Sequence, residues 1–374
     1  MKVLLLSPLP PPVGGIATWT GLALNAAELD EEIAVELQDT AVKGRSVIAP
    51  SLVGKVVIGG AQAVMIAISF LWRCVARRPN VIHLCTPTDL GLVRDIVLVA
   101  IARALFIPVV VHFHRGKVPD YPELMSRQGS FEALLVRAII YLSHRVIVLN
   151  DPALVALSPY GGSKLTILAN MVDCSEKTLR TTPLVKRDST ATHVLFVGHV
   201  VERKGILDLV SACISLRESS LDIRLKVVGP YVDEFRDRIL ELAGASTGSG
   251  TDWLEFTGSC GPDKVKDEMK RADIFCLPSY AEGFPYVILE AMAVGLPIIS
   301  TQVGAMPQAL ADGAGVCIQP GDVGALASEI GRLSVSNQDA FLMGLRAHEK
   351  CKKLYSSSAI FGRLKDEWRR VAKV

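Results

Sequence analysis

Short, continuously apolar runs alternate with longer amphipathic segments along most of the chain. The apolar runs predict strands at residues 2–7, 81–84, 108–114, 194–198, 225–229, 254–258 and 274–277. Between them, apolar side chains recur at helical spacing, for example over 90–105 and 286–294. Strands without a polar face need helices on both sides, which is the arrangement of a parallel sheet. The pattern therefore predicts an α/β fold with doubly wound, Rossmann-like sheets.

Residues 175–190 interrupt this alternation with a polar, aperiodic stretch. A chain of 374 residues is too long for one typical hydrophobic core, so two domains are expected. We place the first domain at 1–174, the linker at 175–190 and the second domain at 191–355.

Composition excludes several classes of partner and site. The net charge is only +2, and no zinc-finger, basic-zipper or RNA-binding motif occurs, so nucleic acid is not an expected partner. The eight cysteines are scattered and none forms a C-x-x-C pair. They are typical of small buried hydrophobic residues in a reducing cytosol rather than of disulfides or zinc ligands.

The segment 56–72 is apolar enough to resemble a membrane span. Its 17 residues fall short of the roughly 20 that a span needs, and it contains Gln62. Arg73, Arg77 and Arg78 follow directly, as expected of a helix that lies on an anionic membrane surface. A core-packed helix with a basic end explains the same pattern equally well, and both interpretations stay open.

The segment 277–301 carries the clearest functional signal. It predicts strand, loop, helix, turn and strand, with Gly283, Phe284 and Pro285 between loop and helix. Such a helix start presents backbone N–H groups and a positive dipole end, which suit a phosphate. Glu282 and Glu290 flank this start, and carboxylates accept strongly from vicinal hydroxyls. Phosphate and polyol together indicate a nucleotide sugar.

A second loop, residues 198–205, adds basic side chains. Arg203 and Lys204 precede Gly205 at the predicted start of a helix. A lysine ammonium group acts there as a point charge, and an arginine guanidinium group can donate two parallel hydrogen bonds. Both groups are therefore suited to bind a diphosphate. His199 lies earlier in the same loop.

The first domain offers two further candidates. A proline-rich loop ends at Gly14 and Gly15, where a ligand can approach the backbone closely. His114 follows the apolar run 108–113 and therefore lies at the carboxyl end of a strand, where parallel sheets bind ligands. His112, two residues earlier on the same strand face, is the alternative.

The run E-G-F-P-x-V-x-L-E-A-M-A-x-G-x-P-I-I-S-T, from Glu282 to Thr301, resembles the Glu-x7-Glu element of retaining glycosyltransferases of family 4. The resemblance covers nearly the whole chain and is strongest over 194–323. It implies a GT-B fold, in which two Rossmann-like domains face each other across a cleft and a C-terminal helix, here 356–374, returns to the first domain. It also implies transfer of a sugar from a UDP- or GDP-sugar to a glycan or lipid-linked acceptor.

The resemblance assigns roles residue by residue. It places Gly14 and Gly15 near the donor phosphates and the acceptor, and His114 opposite the reacting sugar. It gives Glu282 a catalytic role beside that sugar. The remaining implied donor-binding residues are His199, Arg203, Lys204, Gly258, Cys260, Gly283, Phe284, Pro285, Val287 and Glu290. Two positions depart from the family pattern: His199 replaces the usual arginine, and Gln308 replaces the usual glutamate.

No Asp-x-Asp pair occurs in the sequence, so we expect neither a metal ion nor a cofactor. No G-x-G-x-x-G follows a predicted strand, which argues against a dehydrogenase. Two alternatives remain: a catalytically silent nucleotide-sugar-binding subunit, and a GT-B relative such as a sugar-nucleotide epimerase or a phosphorylase. The expected location is the cytoplasm, with peripheral attachment to the inner face of the cytoplasmic membrane left open.

Overall fold

The computed structural model of the chain describes residues 1–9, 14–41, 52–86, 91–115, 121–127, 129–175, 179, 191–247 and 251–373, without the side chains of residues 52–58 and 245–247. The chain divides into two compact units. Unit 1 comprises Met1–Met171 and Ser357–Val374, and unit 2 comprises Val172–Ser356. Most of the predicted linker at 175–190 lies outside the described residues.

Unit 1 is built on a six-stranded parallel sheet. Its strands are β1 (Lys2–Ser7), β2 (Ala34–Asp39), β3 (Val81–Thr86), β4 (Val109–Phe113), β5 (Arg145–Val148) and β6 (Leu165–Ile167). Their spatial order is β2-β1-β3-β4-β5-β6. Its helices are α1 (Gly15–Glu28), α2 (Leu52–Arg77), α3 (Gly91–Ala104), α4 (Tyr121–Ser126), α5 (Phe131–Leu142) and α6 (Asp151–Gly161), with the last helix of the chain, Ser357–Ala372. The order reverses between β1 and β3, which makes the sheet doubly wound.

The last helix packs in unit 1 because its apolar residues form one face. Phe361, Leu364 and Trp368 recur at helical spacing and are buried. The helix packs against α1, β3 and β4. Glu367, on the same helix, forms an ion pair with Arg145 at the start of β5.

Unit 2 is also built on a six-stranded parallel sheet. Its strands are β7 (Thr192–Val197), β8 (Ile223–Val228), β9 (Leu254–Gly258), β10 (Ile274–Leu277), β11 (Ile298–Thr301) and β12 (Val316–Ile318), in the order β12-β11-β10-β7-β8-β9. Its helices are α7 (Ile206–Glu218), α8 (Asp233–Thr247), α9 (Pro262–Arg271), α10 (Tyr286–Val294), α11 (Met306–Ala309), α12 (Val323–Val335) and α13 (Asn337–Leu354), which makes the last helix of the chain α14. This strand order is the Rossmann order.

Two local predictions need correction. The stretch 117–130, with Pro119, Pro122 and Gly129, predicts a loop, but it contains α4, because Tyr121 and Leu124 are buried and the Tyr121 ring packs on Phe113. Residues 116–120 and 128 of that loop lie outside the described part of the chain. Strand β2 is absent from the prediction, since Glu36 and Gln38 break its apolar run at the edge of the sheet.

Helix α2 contains the membrane-like segment 56–72. Residues Gly59–Arg77 are long and apolar enough to cross a membrane, judged by length and composition alone. The core-packed interpretation is wrong for the outer side of this helix. Met65 is 69 % exposed, Ile68 is 65 % exposed and Trp72 is 59 % exposed. Only the inner side, with Phe70 and Cys74, joins the core of unit 1.

Candidate functional site

The candidate site in unit 2 lies where the sheet reverses its order. Strands β7 and β10 are neighbours, and the chain continues from them in opposite directions, through β8 and β9 on one side and β11 and β12 on the other. The loops that leave the carboxyl ends of β7 and β10 therefore lie next to each other. In open α/β sheets, such a crevice is the usual position for a ligand.

The two loops are fixed to each other through their backbones. Gly205, with a φ of +68°, ends the short 3-10 turn Glu202–Lys204 and begins α7. A Cβ atom at Gly205 would lie 1.9 Å from the Pro278 carbonyl oxygen, so only glycine permits this approach. The Tyr280 N–H donates to the Arg203 carbonyl over 2.9 Å, and the Arg203 guanidinium donates to the Ala281 carbonyl over 3.0 Å. These contacts place the loop that carries Arg203 and Lys204 directly beside the loop that carries Glu282.

An ion pair joins the tips of the loops. The Lys204 ammonium group contacts the Glu282 carboxylate, and their side chains are 12 % and 6 % exposed. The Ser279 hydroxyl donates to the same carboxylate over 2.8 Å. Thr301, at the end of β11, donates its hydroxyl to the Ser279 carbonyl. The carboxylate is thus held in one orientation by a cation and a hydroxyl.

Gly304 supports Glu282 from the opposite side. A Cβ atom there would lie 2.2 Å from the Glu282 carbonyl oxygen and 2.4 Å from that of Gly283. Its φ of +54° is a second reason for glycine. The next residue, Ala305, donates its N–H to the Gly283 carbonyl over 2.9 Å. Ser279 and Gly304 were missed as site residues, because the contact of Ser279 with the Glu282 carboxylate and that of Gly304 with the Glu282 backbone exist only in the folded loops.

Helix α10 begins directly after these residues. Pro285 is its N-cap in an extended conformation, with φ −70° and ψ 136°, which agrees with its predicted position between loop and helix. Phe284 is buried and its ring contacts Tyr355 edge-on. Val287 lies in the first turn and is partly exposed. Glu290 lies one turn further, and burial raises the pKa of its carboxyl group.

The remaining candidates of unit 2 occupy other strand ends. Gly258, the last residue of β9, accepts from the Gly229 N–H over 2.9 Å. The Cys260 thiol lies 3.6 Å from the Thr257 hydroxyl. His199 is exposed in the loop after β7. The described contacts therefore join Arg203, Lys204, Glu282 and Gly283 in one cluster and leave Gly258, Cys260 and His199 outside it.

Gln308, the second departure from the family pattern, lies in α11 and is exposed. Its backbone carbonyl accepts from the Lys350 ammonium group over 2.7 Å.

The candidate residues of unit 1 also lie at carboxyl ends of strands. Gly14 is the extended N-cap of α1 and Gly15 is its first residue. Both glycines are exposed. His114 directly follows β4, donates its N–H to the Thr86 carbonyl over 3.0 Å, and is partly exposed. His112, two residues earlier, is fully buried.

Both histidines belong to a cluster of rings on one face of the sheet. The His112 and His114 ring centroids are 3.9 Å apart. Trp19 of α1 stacks on His83 of β3, with centroids 5.3 Å apart. Burial lowers the pKa of His83 and of His114 to about 3, and that of His112 well below its usual range. The cluster is therefore neutral at physiological pH.

The cluster has donor atoms for a metal ion, because His83, Cys85 and His112 offer ligand atoms within 4.8 Å of one another. Their protonation states oppose ligation. Trp368 donates its indole N–H to Nδ1 of His83 over 3.0 Å, so the proton of the neutral imidazole is on Nε2 and blocks that atom. Burial also raises the pKa of the Cys85 thiol to about 12. These residues do not fit a divalent metal ion.

Comparison with known proteins supports the fold and the resemblance. Residues 191–335 match the family model described as glycosyl transferases group 1, which confirms the predicted resemblance for that segment. The putative colanic acid biosynthesis glycosyltransferase WcaL of Escherichia coli is 29 % identical over 186 residues, which are 47 % of this chain and 44 % of WcaL. The chain spans about half the length of the curated relatives it matches, 44 % to 59 % for the first three.

Solved structures match the chain over almost its entire length. Sucrose-phosphate synthase from Thermosynechococcus elongatus has a TM-score of 0.73 at 19 % identity, with 99 % of this chain and 98 % of that chain covered. Anabaena HepE, solved with UDP and glucose, has a TM-score of 0.70 at 18 % identity, with 99 % and 100 % covered. The predicted fold class, α/β with two Rossmann-like domains of the GT-B type, is confirmed.

Proposed function

We propose that this protein is a retaining, metal-independent glycosyltransferase. It transfers a hexosyl group from a UDP- or GDP-sugar to a hydroxyl group of a glycan or lipid-linked acceptor, in the synthesis of a cell-surface polysaccharide or lipopolysaccharide. Support comes from the family match over residues 191–335 and from WcaL, whose name assigns it to colanic acid biosynthesis. HepE, of the same fold, binds UDP and glucose, which supports a nucleotide-sugar donor.

The observation that carries the proposal is the Lys204–Glu282 pair at the reversal of the unit 2 sheet. A sugar diphosphate has anionic oxygens for a lysine and hydroxyl donors for a carboxylate. The pair therefore presents both complementary groups at one point. The Arg203 guanidinium and the start of α10 lie next to the same loop and add positive charge.

The transfer step needs no protein nucleophile. The bond between the anomeric carbon and the β-phosphate oxygen breaks, and both electrons leave with that oxygen. The acceptor hydroxyl oxygen attacks from the same face and forms the new glycosidic bond. The proton of that hydroxyl passes to the leaving phosphate, so the products are the glycoside and the protonated nucleoside diphosphate. Lys204 and Arg203 stabilise the negative charge that develops on the phosphate.

The Glu282 carboxylate acts on the sugar, which becomes positively charged, and not on the phosphate. As the glycosidic bond breaks, positive charge develops at the anomeric carbon, and an oriented carboxylate stabilises it most in the transition state. The resemblance assigns His114 to the same sugar, and its neutral imidazole supplies a hydrogen-bonding group there. The Glu290 carboxylate is assigned to the ribose hydroxyls of the donor.

Two features support metal independence, one from the sequence and one from the loop that carries Arg203 and Lys204. No Asp-x-Asp pair occurs in the chain, so the carboxylate pair that usually holds a pyrophosphate-bound metal ion is missing. Lys204 and Arg203 carry charges that neutralise the diphosphate directly.

The test is a panel of UDP- and GDP-sugars measured by thermal shift and by donor turnover in EDTA. We expect one donor to raise the melting temperature and to be turned over, and Lys204→Ala to weaken both effects. Binding without turnover of any donor, with acceptor present, would identify a silent binding subunit. Failure of every nucleotide sugar to bind would refute the proposal.

A further inference from the structure

The outer face of α2 is a continuous apolar surface. Its exposed large side chains, from 44 % to 69 % exposed, are Val64, Met65, Ile68, Leu71, Trp72 and Val75. They recur every three or four residues, which places them on one side of the helix. Phe70 and Cys74, on the opposite side, are buried in the core. The segment from Gly59 to Trp72 carries no charged residue.

The neighbouring helix and the turn after it also expose apolar side chains. Helix α3 packs beside α2 and exposes Val93 and Val97, at 46 % and 47 %. After its end, Phe106 is 94 % exposed and has a φ of +56°, a conformation that phenylalanine rarely adopts. A strained backbone that turns a phenylalanine into solvent is more consistent with a contact than with packing inside the chain.

A basic groove adjoins the end of the apolar surface. A cavity of about 350 Å³ at the amino ends of β1 and β2 is lined by Lys2, Arg73, Arg77 and Glu36. Glu36 pairs with both arginines, so three cations face one anion. Next to it, Arg78 is exposed with a φ of +42°. The excess positive charge complements an anionic headgroup.

We propose that this face of unit 1 docks on an anionic lipid bilayer, with the exposed side of α2 in the interface and a headgroup phosphate in the groove formed by Lys2, Arg73 and Arg77. The cytoplasmic leaflet supplies such a surface, and an apolar stripe beside a basic cluster provides the two signals that peripheral attachment needs. The surface is separate from the donor site, so this inference goes beyond the proposed function and can fail without it.

Two other occupants fit the structure less well. A helix that crossed the membrane would have to withdraw Phe70 and Cys74 from the core and break the contact of Arg73 with Glu36. A second copy of the chain, docked through the same stripe, would cover the apolar side chains but would leave the groove without a complementary charge.

The test is flotation of the full chain with vesicles of phosphatidylcholine alone or of phosphatidylcholine with phosphatidylglycerol. We expect binding only to the anionic vesicles, weakened by salt. The double variant Met65→Glu with Ile68→Glu should bind about a hundredfold less, because both charges would enter the interface. Arg77→Gln should bind roughly fivefold less and with a weaker salt dependence. Soluble glycerol phosphate should not compete, since the apolar face contributes most of the binding.

The matched control is Val335→Glu, which places the same charge on a 70 % exposed valine of unit 2 and should bind as the unaltered chain does. Melting temperatures confirm that the variants fold. Equal binding to both vesicles, or wild-type binding by the double variant, would overturn the proposal. So would a dimer that the double variant dissociates, or a membrane-bound form that resists alkaline extraction.

Discussion

The two sheets of this protein place very different chemistry at equivalent edges. In unit 2, the loops after β7 and β10 bring together a lysine, a carboxylate and a hydroxyl, held by glycines that admit no side chain. In unit 1, His83 within β3 and two histidines at the end of β4 pack against Trp19, and burial keeps those imidazoles neutral. The parallel sheet determines where a ligand can bind. The side chains at the carboxyl ends of its strands determine which kind of ligand can bind there.

Because the two regions are held together differently, different changes should damage each of them. The unit 2 site depends on close backbone contacts, so an added methyl group at a glycine damages it. The unit 1 cluster depends on neutral rings in a dry environment, so acid damages it. Substitutions and pH should therefore separate the two regions.

The largest effect is expected from Gly304→Ala. The new Cβ atom would lie 2.2 Å from the Glu282 carbonyl oxygen in a backbone conformation that alanine rarely adopts. We expect a loss of about 3 kcal/mol in the stability of unit 2, together with loss of donor binding. Thermal unfolding and calorimetric titration with UDP and GDP measure both.

The control is Gly244→Ala in α8, where the added Cβ atom would meet, among the described residues, the Thr251 methyl group at 3.7 Å. This change should leave donor binding intact and stabilise the helix by about 0.5–1 kcal/mol. A Gly304→Ala variant with wild-type stability and binding would show that the glycine contact does not hold the site.

The next effect separates three proposed site residues by kinetics. Glu282→Gln should lower kcat about a hundredfold and change KM less, because its charge acts mainly in the transition state. His114→Ala should follow the same pattern. Glu290→Gln should mainly raise the donor KM, because hydroxyl protons are bound equally in the ground and transition states.

Steady-state kinetics with one donor measure all three variants. A Glu290→Gln variant that lost turnover, with a Glu282→Gln variant that lost only affinity, would reverse the proposed positions of sugar and ribose.

Much of this organisation could be predicted from the sequence. Apolar runs located most of the strands in the described part of the chain, since buried parallel strands have no polar face. Glycine and charge patterns pointed to Lys204 and Glu282. The pairing of those two residues could not be predicted, because it depends on which strands are neighbours in the sheet. Ser279 and Gly304 were missed for a similar reason: a hydroxyl or glycine in a loop becomes informative only when its partner is known.

The same limit applies to unit 1. Strand periodicity placed His112 and His114 on one face, but Trp19 and His83 joined them only in the folded sheet. The exposed side of α2 was equally undetermined, because an apolar helix has the same sequence pattern whether its second face is covered or not.

A smaller effect on the unit 2 site is expected from Lys204→Ala. Loss of the ammonium group should weaken binding of UDP or GDP by about 1.5–3 kcal/mol, the range for a hydrogen bond to a charged group. The control is Lys226→Ala, which removes another paired lysine of unit 2, bonded to Glu268 over 3.0 Å. Unchanged affinity in Lys204→Ala by calorimetry would remove Lys204 from the donor site.

The smallest effect concerns unit 1 and acid. The pKa of His83 is lowered to about 3 in the folded chain, from 6.5 when exposed, so the unfolded chain binds the proton first. Stability from this group is present above pH 6.5 and is lost as the pH falls toward 3. At about pH 5 the loss is roughly 2 kcal/mol for one such histidine.

His83→Gln removes that titration and keeps an acceptor for the Trp368 indole. Denaturant unfolding at neutral pH and near pH 5 should show a smaller acid loss in the variant than in the unaltered chain. An identical acid loss in both would mean that His83 does not remain neutral in the folded unit.

The central claim is metal-independent transfer with retention at the anomeric carbon. It is tested most directly by proton NMR of the product formed from an α-linked UDP- or GDP-sugar in the presence of EDTA. The account predicts a product with the α-configuration, formed as fast in EDTA as with manganese. A β-configured product, or transfer that appears only when manganese is restored, would contradict it.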